Sequence, residues 1–129
     1  AHVTSYIQPL DVYFNRQWKL IARRIFDYIQ LDDIDINLSE RNNIIRLNFL
    51  IHNQLSSSVF TPMIKYSRFA AGYADQHSRD FESVNEVCFN IDDSFCQQSN
   101  CHLLPFIQCS YCRIFLCFEH FFKAYHYHA

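Results

Sequence analysis

Phe14, Trp18, Ile21, Ile25 and Ile29 recur every three or four residues. In an α-helix this spacing stacks side chains on one face. The pattern predicts an amphipathic helix over DVYFNRQWKLIARRIFDYIQ, beginning near Leu10 or Asp11. Pro9 disfavours the helical region at Gln8, so residues 1 to 9 read as extended. Asp11 then falls in the first turn, where the helix dipole favours an acid. A second stripe, Ile44, Leu47, Ile51 and Leu55, predicts a helix ended by the serines at 56 to 58. Asn37, with Glu40 three residues on, reads as its capping box. Thr61-Pro62 predicts the N-cap and first turn of a third helix, MIKYSRFAA, with Gly72 as its left-handed stop.

Between and beyond these helices the periodicity fades. LDDIDI, residues 31 to 36, lacks the glycine and distal glutamate of a calcium loop and reads as an acidic surface connector. Residues 74 to 86 are polar and read as a linker, with His77 and Asp80 facing solvent. VCFNI, residues 87 to 91, predicts a short strand with Cys88 as a buried thiol rather than a ligand. FLCFEHFFKAYHYHA predicts a short helix whose aromatic face packs on a metal core.

That core is expected because the last third holds five of the six cysteines and four of the seven histidines. The order is Cys96-x4-Cys101, seven residues, Cys109-x2-Cys112, four residues, Cys117-x2-His120, five residues, His126-x-His128. Two residues between ligands let a turn aim both at one ion, and zinc takes four such ligands in a tetrahedron. Four pairs make enough ligands for two closed zinc sites. The short gap between the second and third pairs resembles RING-type cross-bracing. On that pattern Cys96, Cys101, Cys117 and His120 hold one zinc, and Cys109, Cys112, His126 and His128 hold the other. A single knuckle of Cys109, Cys112, Cys117 and His120 is the simpler alternative. His102 is a substitute for a terminal histidine. A disulfide framework is the competing account of an even cysteine count, but interleaved histidines favour metal.

Composition narrows the class. The chain has 129 residues, is 50% hydrophobic and 17% aromatic, and has one glycine and three prolines. It can build a core, and turn-rich all-β folds are disfavoured. No apolar run approaches a membrane span. The net charge of −2 gives no overall basic character, so any contact with nucleic acid needs a local patch. Arg16, Lys19, Arg23 and Arg24 form a candidate patch on the first helix, with Lys65 and Arg68 further on; the bland account is a solvated face. The fold class expected is mostly α with a small α+β zinc-bound module, divided into a helical part, 1–92, and a Cys/His module, 93–129. Chelation is expected to unfold residues 94 to 129 and spare the helices. Metal-spaced cysteines fit a reducing compartment. The chain starts with Ala and is expected to be part of a longer protein.

TSYIQPLDVYFNRQWK, residues 4 to 19, resembles the T-S-x-x-Q-P-L-D-V segment of mariner/pogo transposases, which are DDE/DDD endonucleases. Tyr13 stands where those proteins commonly have glycine. FTPMIKYSRF is similar to the tail of such proteins, and the cysteine-rich end is similar to the cross-brace fingers that close piggyBac-like transposases. The resemblance implies the helical tail of an RNase-H-like catalytic domain followed by a cross-brace zinc finger. It implies Asp11 as the third acid for catalytic magnesium, with the first two acids absent from this chain, so the chain alone is expected to be inactive. It also implies DNA as partner, a homodimer or protein partner through the zinc module, and a nuclear location. A RING-like module that binds a protein without catalysis is the alternative.

Overall fold

The computed structural model describes residues 14–70, 82–92 and 94–129. Asp11, Gly72, His77 and Asp80 lie outside them, as do the QPLD segment and the predicted extended residues 1 to 9. Helix α1 spans Phe14–Leu31 and buries Ile21, Ile25 and Ile29 of the expected apolar stripe, together with Ala22. Phe14 and Trp18, at the outer end of that stripe, are half-buried. Its stop is chemical. Asp33 takes φ of 51°, the N–H of Ile34 bonds back to the Ile29 carbonyl at 3.0 Å, and that of Asp33 to Gln30 at 3.4 Å. This is a Schellman closure with an aspartate in the left-handed position that glycine usually takes.

Helix α2, Arg41–Leu55, starts later than the capping-box reading predicted. Asn37 caps the turn before the helix instead. Its Oδ1 accepts from the Ser39 N–H at 3.0 Å, and its carbonyl accepts from the Glu40 N–H at 3.1 Å. Glu40 occupies the N-cap with no side-chain bond to the helix. The buried face also differs from the predicted stripe. Leu47, Leu50, Ile51 and Leu55 are buried, while Ile44 is exposed, because the face turns inward only from the second turn on. Ser56 caps α2, and a 3₁₀ turn, Ser58–Phe60, leads into α3, Thr61–Ala70. Ser57 caps the 3₁₀ turn, accepting from the Val59 N–H at 3.4 Å, and Thr61, expected as the N-cap of α3, is its first helical residue.

The predicted strand at 87–91 is absent. Helix α4, Val84–Val87, ends there, and Cys88 continues it in helical conformation. The apolar run is short because Val84, Val87 and Cys88 turn one side to the core. Gln17 of α1 is buried and accepts from the Val84 N–H at 2.9 Å, satisfying a free donor at the start of α4. Cys88 is buried, and burial pushes its thiol up to about 12.

Two short strands follow, β1, Ile107–Gln108, and β2, Phe115–Leu116. They pair antiparallel with Ile107 opposite Leu116 and Gln108 opposite Phe115. After β2 comes a wide π-helical turn, Glu119–Lys123, in place of the predicted regular helix. Phe118, Phe121 and Phe122 point inward from it. Tyr28 of α1 stacks on Phe118 with centroids 4.8 Å apart and meets Phe106 edge-on at 5.1 Å. The buried side chains form one continuous cluster from Ile21 to Phe122, shared by the helices and the Cys/His end. The described residues are thus mostly helical with one small hairpin.

Two candidate metal centres

The hairpin and its flanks sort the ligand pairs in space. Cys109 leaves β1 into the turn at the hairpin tip, and Cys112 lies in that turn. Cys117 leaves β2 in the opposite direction along the chain, and His120 follows in the π-helical turn. The Cys96–Cys101 loop lies against the hairpin, with the Gln97 N–H donating to the Phe115 carbonyl at 2.8 Å. The result is two separate groups. Cys96, Cys101, Cys117 and His120 form one, and Cys109, Cys112, His126 and His128 the other, each with ligand atoms within 4.8 Å of one another. Chain segments alternate between them. The single knuckle would need Cys109 and Cys112 beside Cys117 and His120, and these pairs sit in different groups. His102 is exposed and belongs to neither.

The donor chemistry and spacing suit a tetrahedral ion. At zinc's usual bond lengths a tetrahedron has edges of ~3.8 Å between sulfurs, ~3.5 Å between sulfur and nitrogen, and ~3.3 Å between nitrogens. In the first group Cys101 and Cys117 sulfurs are 3.9 Å apart, and His120 Nδ1 lies 3.3 Å from Cys96 and 3.2 Å from Cys117. In the second, His128 Nε2 is 3.3 Å from Cys109, His126 Nε2 is 3.4 Å from Cys112, and the two ring nitrogens are 3.1 Å apart. The disulfide account fails on the same numbers, because all six cysteines are free thiols. Both groups can hold a metal ion, consistent with zinc.

Electrostatics point the same way. Burial, opposed by a backbone bond from His120 and reinforced by the Cys96 and Cys101 thiols, pushes Cys117 up to about 11. At Cys96 burial also resists ionisation, yet hydrogen bonds from the backbone of Cys117 and Gln98, with His120 and Cys101, outweigh it and bring the thiol down to about 7. Burial likewise raises Cys112 and, with the His128 charge, lowers His126. Crowded thiols cannot all ionise unaided. A shared cation removes that conflict.

Helix α2 braces the second group through two residues that periodicity alone does not single out. Gln54 is fully buried. Its Nε2 donates to Cys109 Sγ at 3.3 Å, and its Oε1 accepts from the Ser110 N–H at 2.8 Å. Ser110 Oγ donates in turn to the Gln54 carbonyl at 2.7 Å. Asn53 donates to the His128 carbonyl at 2.7 Å and accepts from the His128 N–H at 3.0 Å. A signal existed, because Gln54 is a polar residue lying between Ile51 and Leu55 on the buried face. Tyr111 stacks on the His128 ring at 4.8 Å.

Backbone strain gathers at the candidate ligands. Asn100, Arg113 and Tyr125 have φ of 61°, 63° and 54°. They directly precede Cys101, follow Cys112 and precede His126. Around Tyr125 the His126 N–H reaches back to the Phe121 carbonyl at 3.1 Å, a second Schellman closure, which delivers His126 to its group.

The basic residues have mixed placements. Arg16, Lys19, Arg23 and Arg24 are all exposed on α1. Arg24 lays its guanidinium over the Phe89 ring at 4.7 Å and so faces the Cys/His end. No described helix is long and apolar enough to cross a membrane. No curated protein and no solved structure matches this chain. Residues 69–128, which contain both Cys/His groups, match the family model for the Tc5 transposase C-terminal domain, and this similarity supports the C-terminal part of a transposase.

Proposed function

We propose that this chain is the accessory C-terminal part of a DNA transposase, and that its two Cys/His groups bind one zinc each in a cross-brace. Cys96, Cys101, Cys117 and His120 hold the first ion; Cys109, Cys112, His126 and His128 hold the second. Zinc supplies structural cross-links here, since four protein ligands leave no open position for a substrate. The observation that carries the reading is the pair of four-ligand groups with edges of tetrahedral length. The module's role is to contact transposon DNA or another subunit in the nucleus. Arg16, Lys19 and Arg23 supply phosphate contacts from α1. In the full-length enzyme Asp11 contributes one acid for magnesium, the remaining acids coming from elsewhere. Native mass spectrometry tests the zinc reading directly: two zincs per chain are expected, and a metal-free folded chain overturns it. Binding to duplex DNA that weakens steeply with salt tests the DNA reading.

A protein partner is favoured by a different observation. Leu104 is 74% exposed beside Leu103 and Pro105, at the rim of a cavity of about 500 Å³ shared with Tyr28, Ile34 and Phe118. Association through this patch would change little with salt and would be lost in Leu104→Glu.

A further inference from the structure

A cavity of about 560 Å³ opens between α1, α2, the hairpin tip and the C-terminal tail. Its walls are rings: Trp18, Phe49, His52, Tyr111, Tyr127 and His128, with no aliphatic side chain. Several rings stand open to solvent, Phe49 at 56% and Tyr127 at 49% exposed. Planar, polarisable walls without aliphatic contacts suit a flat heteroaromatic guest better than an aliphatic side chain. Polar groups sit among the rings. Asn48 uses its amide NH₂ on the Ile44 carbonyl at 2.8 Å, which leaves its Oδ1 to accept from an N–H of a base, whether on the ring or exocyclic.

The surroundings carry the complementary charge. Lys19 follows Trp18 directly, and Arg23 lies one turn beyond it on α1. Arg41 lies two turns before Asn48, on the same face of α2. All three are exposed, and the single ion pair among the described residues, Lys123 with Glu119, uses none of them. Exposed cations on the two helices that help wall a cleft of open rings match a sugar–phosphate strand whose base has left its stack.

We infer that this cleft takes an unstacked nucleobase of a single nucleic-acid strand, with Trp18 and Phe49 as stacking surfaces and Lys19 and Arg41 toward the phosphates. The cleft rests on the zinc reading above in one respect: His128 is both a proposed ligand and a wall, so the ion would hold that wall in place.

Trp18 is the chain's one tryptophan, so its fluorescence reports on the cleft alone. Short oligothymidylate is titrated into the zinc-loaded chain, with its duplex with oligoadenylate as comparison. Single strand should quench Trp18 and bind more tightly than duplex. Phe49→Ala should weaken single-strand binding at least about fivefold, the low end for one base–aromatic stack. Phe49→Tyr, which keeps the ring, should bind as the parent does. Equal quenching by duplex and single strand overturns the inference. So does labelled strand that binds, by anisotropy, without changing Trp18 emission, or Phe49→Ala that binds unchanged. Zinc is counted on the same samples. Full zinc with no quenching rejects the cleft alone, whereas a folded chain without zinc rejects the metal reading beneath it.

Discussion

The side-chain amide of Asn53 grips the backbone of His128 from both sides, donating to its carbonyl at 2.7 Å and accepting from its N–H at 3.0 Å. A helix far from the cysteines in sequence thereby fixes the last residue of the second Cys/His group. Asn53 is only 6% exposed and His128 is half-buried, so removing the amide leaves a partly buried peptide group without these partners. Asn53→Ala is expected to lower stability by about 2 kcal/mol, measured by urea unfolding. It should also weaken retention of one ion at least about tenfold in chelator competition, as losing a ligand's outer support does. Retention of both ions at parent strength would mean that the tail positions His128 by itself.

Metal removal should reach beyond the last third. Spacing alone suggests a finger that unfolds by itself, but Tyr28 stacks on Phe118 and the buried cluster runs unbroken from Ile21 to Phe122. A strong chelator is therefore expected to reduce helical circular dichroism and expose sites in α1 and α2 to protease. If only residues 94 to 129 become cleavable, the shared core does not couple the two parts.

Cys88 stands apart from the other thiols. It is buried, outside both groups, and burial pushes it up to about 12. The folded protein holds the neutral form, so this group's contribution is complete below pH 9 and is lost as pH rises from about 9 toward 12. In the native chain Cys88 should resist iodoacetamide at neutral pH while unfolded chain reacts, as peptide mass mapping would report. Cys88→Ala should leave the zinc count unchanged; a lost ion would make Cys88 a ligand.

Arg113 offers a simple backbone test. Its φ of 63° is a region that costs a non-glycine residue about 1–2 kcal/mol. Its carbonyl accepts from Gln108 Nε2 at 2.9 Å, a bond glycine preserves. Arg113→Gly should raise stability by about 1 kcal/mol, read as a higher thermal midpoint with metal content constant. Destabilisation would assign the arginine side chain a role of its own.

Much of this arrangement lies open in the chain's patterning. The α1 stripe from Ile21 to Ile29 is a clean 3.6-residue period, and it buries as such. The gap of four residues between Cys112 and Cys117 suggests two interleaved sets of four but leaves a single knuckle open; only the spatial grouping of the ligand atoms separates the two. Other features depend on partners that period and spacing do not carry. Ile44 and Leu50 differ by which turn of α2 reaches the core. VCFNI alternates like a strand, yet Gln17, distant in sequence, receives the Val84 N–H and lets a helical turn form. Asn53 and Gln54 acquire meaning only when the tail and the hairpin tip arrive beside them. The wide turn after β2 meets a demand of the aromatic core, which takes Phe118, Phe121 and Phe122 together.

Asn100, Arg113 and Tyr125 hold left-handed backbone beside the candidate ligands. A chain so poor in glycine keeps its ligand loops under tension, each wanting to spring back toward ordinary backbone angles once nothing holds its neighbour. Losing an ion and relaxing a loop would then be one event. Metal loss at each site should be all-or-none, with few half-emptied states along the way.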